Sequence, residues 1–368
     1  MHKLFRHCLT AGATVALLAL PAHAEDGPRV AASIQPVHAL VAGVMDGVDT
    51  PHLFVGGGDS PHTYAMRPSD AEALAGADAV FWIGREFEGF LVRPIENLAG
   101  EVASVPLIDA PGLVLYEYEE PHDHDHGHAH GEAHGHEHHD EDRHAQAEGD
   151  HAHDDGHSHD DGHSHGDGHA HDDGHSHKDG HGHHDEADHG HDHVHEGTDG
   201  HIWLDPANAR AMVAHIADVL AEIDPANAEL YQANAARLTD RLSQLEADVA
   251  ARLEPYAEIP FFTFHEAFRY FNERFGLNSR GAITISPERQ PGAQRLAEIR
   301  DEIGAYDKVC VFAEPQFPPS LVDTVTEGTG AGTGIIDPLG AELAEGPELY
   351  FELITFNSDA FEACFAGT

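Results

Sequence analysis

The chain has 368 residues, 40% of them hydrophobic, and 66 acidic against 19 basic side chains give a formal net charge of −47. Phosphate binding needs a basic face, so this balance excludes nucleic acid as a partner, whereas an acidic surface suits the collection of cations. Outside one low-complexity stretch, enough chain remains for one large or two modest domains.

The first residues read as an address. Lys3 and Arg6 form a positive n-region, Leu9 to Leu20 an apolar stretch, and Ala22-His23-Ala24 a small-residue cleavage site. The apolar stretch is too short to span a bilayer comfortably. A signal peptide over residues 1–24 and a mature periplasmic chain from Glu25 are therefore expected. Cys8 falls in the removed segment. Cys310 and Cys364 remain, an even pair in an oxidising compartment, which suggests one disulfide; two buried free thiols are the alternative.

Strand and helix signals then alternate. Val30 to Ile34 is a short apolar run, and Val37, Leu40, Val41 and Val44 keep a helical spacing. Leu53 to Val55 is the next strand, followed by the turn-rich loop Gly56 to Asp70, where Ser69 or Asp70 is placed to cap a helix over Ala71 to Ala77. Ala79 to Ile83 reads as a buried strand, Phe87, Phe90, Leu91 and Ile95 as a helix face, and Val102 to Ile108 as a further strand. This βαβα order predicts a parallel sheet with helices on both faces.

The order breaks at the stretch from His122 to His195, which holds 27 of the 36 histidines and repeats DDGHSH at Asp154, Asp160 and Asp172. Only Val194 there offers core material, so burial cannot offset the entropy of ordering and disorder is expected. A plain hydrophilic linker needs Gly, Ser and charge rather than imidazole at more than a third of its positions. Neutral imidazole and carboxylate are both ligands for Zn²⁺ and its neighbours, so the composition reads as metal binding.

Asp205-Pro206 opens a helix to Ile223, with Asp as cap and Pro in the first position. Asp224-Pro225 repeats the signal for a second helix to about Leu253, read as a rigid connector. A second βα series follows. Pro260 to Phe264 is a strand, with His265 at its junction to a helix from Glu266 to Phe275; Ala282 to Ile285, Val309 to Phe312 and Gly334 to Ile336 are strands. Helices are expected after Pro287, over Pro319 to Val325, and through Phe351, Ile354, Phe361 and Cys364. The expected fold is α/β: two parallel-sheet lobes joined by one long rigid helix, with a disordered His/Asp-rich insertion. The domains are 25–224 (including the insertion, 117–199), the connecting helix 225–254, and 255–368.

Outside the tract, His62, His201 and His265 share one setting, each at a strand's C-terminal end or in a loop beside a helix start. Strand C-terminal ends form the ligand crevice of open α/β sheets. Three neutral imidazoles suit Zn²⁺ with one position left over. Asp337, also at a strand end, is the natural fourth ligand, or else a helix cap. His215 is placed mid-helix as a surface or packing residue, His38 lies early in the first helix as a local cap or a cleft neighbour, and His52 precedes a strand and shows no ligand partner.

SPHTYAMRPSD, DGHIWLDPANA, FFTFHEAFRYF, CVFAEPQF and IIDPLG together resemble the motifs of the zinc-binding component of zinc ABC importers, the ZnuA family. The resemblance covers essentially the whole mature chain, and a His/Asp insertion just before a GHIWLDP-type motif is typical of that branch. It implies His62, His201 and His265 as zinc ligands, two lobes joined by a long helix, and a second-lobe disulfide matching Cys310 and Cys364. Some such receptors carry Glu directly before the first histidine. Here that place is Pro61, so the fourth position is left to water, Asp337 or a tract histidine.

The function expected is a periplasmic high-affinity receptor that delivers Zn²⁺ to an ABC-type permease in the inner membrane, as a monomer with no small organic substrate. The tract would serve as a weaker zinc reservoir or sensor. A His₃–Zn hydrolase with Glu266 as base is the rival. No other acid–base or nucleophile constellation accompanies it, so no enzyme is expected.

Overall fold

The computed structural model describes residues 27–117 and 197–368, apart from 57, 99–101, 286, 288 and 289. The expected signal peptide and the histidine tract lie outside the described residues.

Four short strands, β1 (Val30–Ile34), β2 (His52–Val55), β3 (Ala79–Trp82) and β4 (Ala103–Pro106), form an all-parallel sheet in the order β2-β1-β3-β4. β1 and β3 are buried along their whole length, as central strands covered on both faces must be, and both are continuous apolar runs broken only by Ser33. Helices α1 (Gln35–Val44), α2 (Pro68–Gly76) and α3 (Gly89–Asn97) make the crossovers. α4 (Pro206–Ile223) follows, capped by Asp205, whose carboxylate accepts the Ala207 N–H at 2.7 Å.

α5 (Ala228–Leu253) runs 26 residues, about 39 Å at ~1.5 Å per residue, and leads into the second sheet. There β5 (Phe261–His265), β6 (Ser279–Thr284), β7 (Cys310–Ala313) and β8 (Gly332–Ile335) take the order β6-β5-β7-β8, again all parallel. Their helices are α6 (Arg269–Phe275), α7 (Ala293–Ile303), α8 (Ser320–Thr326) and α9 (Leu349–Gly367). This is the two-sheet α/β architecture expected.

Strand alternation divides the second core. Phe262, Phe264 and Val311 pack with Ile299 and Ile303 of α7 and Val322 and Val325 of α8. Phe261, Cys310 and Phe312 point the other way, into a cluster that continues through α9, α5, α4 and α1 to the first sheet. The two sheets therefore share one core. α9 is pinned to β7 by the Cys310–Cys364 disulfide, which spans 54 positions with Cα atoms 6.2 Å apart. A Cβ at Gly332 on neighbouring β8 would sit 3.0 Å from the Cys364 sulfur, so a larger residue there would press on the disulfide.

Three helix starts differ from expectation. α2 begins at Pro68, because proline's fixed φ suits the first helical position. Asp70 is then its third residue and accepts the Arg67 N–H at 2.9 Å. α5 begins at Ala228; Asp224 instead binds Asn227 and the Tyr231 hydroxyl, each at 2.7 Å. α6 begins at Arg269, so Glu266 lies in a turn before the helix and not in its first turn.

Candidate metal centre

In each sheet the order in which strands are added reverses between the two central strands, β1 and β3 in the first, β5 and β7 in the second. That reversal opens a crevice at the strands' carboxyl ends. One cavity of about 10 Å³ lies there, lined by Ser60, Pro61 and His62 after β2, Phe87 after β3, His265 of β5, Glu314 and Phe317 after β7, and Pro338 after β8, with His201 and Trp203 between the halves. That volume is about one water or one ion.

His62, His201 and His265 each present a ring nitrogen to it, and these atoms all lie within 4.8 Å of one another. His62 sits in the loop after β2, partly exposed. His201 and His265 are each 3% exposed, and each is held by a buried acid. Asp199 Oδ1 lies 2.7 Å from His201 Nδ1 and accepts that residue's N–H at 3.0 Å. Glu314 Oε1 lies 2.7 Å from His265 Nδ1 and accepts its N–H at 3.1 Å. A carboxylate can only accept, so Nδ1 carries the hydrogen in both rings and Nε2 is left as a lone-pair donor. The Nε2 of His265 is buried with no hydrogen-bond partner, as a ligand atom awaiting a cation would be. Burial alone would drive its pKa down, but the charge and hydrogen bond of Glu314, with the charges of Glu266 and Asp199, outweigh that and leave it raised.

Aromatic rings seal the group. Phe87 stands edge-on to His62 at 4.9 Å and to His201 at 5.1 Å, and Trp203 lies 5.3 Å from His201. Gly200 makes this packing possible, since a Cβ there would fall 2.9 Å from the Phe87 ring. The Phe87 turn is tied down by Glu88, which is wholly buried and accepts the Ile83 and Gly84 N–H groups at 3.1 and 2.9 Å. Burial pushes the Glu88 carboxyl up to about 7.

Asp337 stands apart from this cluster. Its Oδ1 accepts from Gln316 at 2.7 Å and the Leu339 N–H at 2.9 Å, and its Oδ2 accepts the Ala341 N–H at 2.6 Å. The side chain braces a turn, not a helix. His215 lies on α4, half-buried; His38 Nε2 pairs with the Pro51 carbonyl at 3.0 Å; and His52 lies 3.7 Å from Asp70. Sequence reasoning missed Asp199, Glu314 and Phe87. The available signal was an acid two residues before one histidine, and another just past the strand that neighbours β5.

Two parallel sheets presenting their strand ends to one ion-sized, imidazole-lined cavity define the two-lobed α/β class of solute-binding proteins. The chain belongs to the family described as zinc-uptake complex component A, periplasmic, which it matches over residues 30–364. It is 44% identical over 338 residues to the high-affinity zinc uptake system protein ZnuA of Brucella suis biovar 1, covering 92% of this chain and 91% of that one. It is 38% identical over 360 residues to the protein of the same name from Paracoccus denitrificans, covering 98% of each. Among solved structures, a zinc-bound ZnuA deletion mutant superposes with a TM-score of 0.64 at 20% identity, covering 92% of this chain and 98% of that one. The Pseudomonas aeruginosa receptor FpvC in complex with Mn²⁺ gives 0.65 at 19% identity, covering 92% and 99%. The last two likenesses speak to the fold.

Proposed function

We propose that this protein is a periplasmic zinc receptor in which His62, His201 and His265 hold Zn²⁺ through one nitrogen each and release it to an ABC-type permease. One observation carries the reading: three imidazoles from separate segments meet at one small cavity, two of them oriented by buried carboxylates. Carboxylate–histidine pairs of this kind fix the tautomer and raise ligand basicity. Zn–N bonds of about 2.0 Å in a tetrahedron set the nitrogens about 3.3 Å apart, so small movements complete the set. All-nitrogen donors favour zinc over manganese, which prefers oxygen.

The fourth position falls to water. Asp337 reaches the ion only by giving up its bonds to Gln316 and the turn, and Pro61 offers no donor. The protein works as a binding protein, not an enzyme, as its membership of a zinc-uptake family supports. It acts as a monomer in the periplasm after losing residues 1–24, and the tract from His122 to His195 is a weaker zinc reservoir.

Isothermal titration tests this. The protein lacking His122 to His195 keeps one tight site and loses several weak ones; His265→Ala loses the tight site, and His215→Ala keeps it. Parental affinity in His265→Ala overturns the three-histidine site. Equal stoichiometry with and without the tract overturns the reservoir.

A further inference from the structure

The segment that carries His201 follows the first sheet in sequence, yet buried side chains of the second half hold it. The Tyr270 hydroxyl, from α6, donates to the Asp199 carbonyl at 2.8 Å and accepts the Tyr116 N–H at 3.1 Å. The Tyr350 hydroxyl, from α9, donates to the Trp203 carbonyl at 2.6 Å. Trp203 Nε1 donates to the Pro338 carbonyl at 2.7 Å, and Arg274 grips both oxygens of Asp205 at 2.7 Å. Both tyrosines are 0% exposed, and neither touches the cavity. Removing either hydroxyl strands a buried backbone group, which the surrounding structure tolerates only by shifting.

We propose that Tyr270 and Tyr350 are positioning residues of the metal site, fixing His201 against His265 before any ion arrives. This rests on the three-histidine reading above. Tyr270 is the more direct. It sits five residues beyond His265, on the helix that follows β5, and it fixes the main chain of Asp199, whose carboxylate aims the His201 ring. One short stretch thus sets both the position of His265 and the orientation of His201. The two buried histidines form a prepared pair, and His62, on the partly exposed loop after β2, completes the set. Tyr350 fastens the same segment two residues beyond His201.

The test uses the full mature chain. Tyr270→Phe keeps the ring and removes the hydroxyl; it is expected to weaken zinc binding about tenfold, the low end for outer-shell partners of a metal ligand. Loaded with Co²⁺ instead, its visible absorption should differ from the parent in position or intensity, a change that loss of stability alone does not produce. In a double-mutant cycle with Asp199→Asn the combined loss should fall short of the product of the single losses, because one residue acts through the other. Tyr231→Phe removes a comparable hydroxyl bond, to Asp224 at 2.7 Å, far from the site; it is expected to lower stability and leave affinity and the Co²⁺ spectrum alone.

Parental zinc affinity and a parental Co²⁺ spectrum in Tyr270→Phe would overturn the positioning role. His201→Ala separates the two levels. If it binds weakly while Tyr270→Phe is parental, only the positioning role falls; if it too binds as the parent does, the three-histidine site falls. Should Tyr270→Phe fail to fold, Tyr350→Phe carries the same test, and parental affinity there is equally fatal.

Discussion

Glu314→Gln is the sharpest probe of how the site is tuned. The carboxylate is 2% exposed and meets His265 Nδ1 at 2.7 Å through one oxygen and 2.6 Å through the other. Glutamine keeps the shape and one acceptor but loses the charge that makes Nε2 a stronger donor. Losing such a partner weakens metal binding about 10- to 100-fold, or about 1.4–2.7 kcal/mol. A second effect runs the other way. Burial lowers the His265 pKa, Glu314 together with the charges of Glu266 and Asp199 raises it, and the net shift is upward, so Glu314 also strengthens the proton that competes with the metal. The variant's imidazole protonates less readily. Above the raised pKa no proton competes and the full loss appears; below it, weaker competition in the variant narrows the gap. Chelator-competition titrations from about pH 8 down to about pH 6, across the ordinary imidazole range, should show a parent-to-variant ratio largest at the alkaline end. Equal affinities at pH 8, or a ratio that widens in acid, would refute the argument.

The disulfide closes a loop of 54 positions, which the loop-entropy argument values at roughly 4 kcal/mol; reduction should lower the melting temperature by about 10 °C, and an unchanged melting point speaks against it. Glu88 predicts a pH dependence of stability. Its folded pKa of about 7 lies above the ordinary 4.5, so the folded state keeps a proton the unfolded chain has lost. Stability should fall as pH rises between those values and level off above them, by about 3 kcal/mol in all. Glu88→Gln should flatten this profile, and denaturation midpoints that keep the parental slope would defeat the assignment. Weak zinc sites that depend on the tract should empty between about pH 7.5 and about pH 5.5 as imidazole protonates, before the tight site does; simultaneous loss of both would mean the histidine set gains nothing from its preparation.

The alternation of strands and helices was legible because central parallel strands are apolar throughout: Val30 to Ile34 and Ala79 to Trp82 announce themselves without neighbours. The three histidines were legible through their places at strand ends and loops. Helix starts were less so, since Ser69 and Asp70 look like caps and Glu266 like a first-turn residue, and only the folded chain shows Pro68 and Arg269 beginning those helices. Glu314 was harder still. An acid 49 residues from its histidine leaves no local pattern, and its role exists only once β5 and β7 lie side by side. Hydroxyls such as those of Tyr270 and Tyr350 read as ordinary core aromatics for the same reason.

The shared core bears on how the metal leaves. α9, which follows the second sheet, packs on α5 and α1, burying Leu349, Tyr350, Leu353 and Ile354 at 1% exposure or less. Parting the halves would return such side chains to water at about 1.5–3 kcal/mol each, roughly 6–12 kcal/mol for four. Nanomolar binding of an ion is worth about 12 kcal/mol in total, so a wide hinge would consume most of it. Local movement of the His62 loop, which exposes far less apolar surface, is the cheaper route. Hydrogen exchange in zinc-loaded and chelated protein should therefore differ at the loop after β2 and around His201, while α1, α5 and α9 keep their protection. A general loss of protection along α5 and α9 in the chelated protein would mean that the halves do part, and that the shared core is weaker than its burial implies.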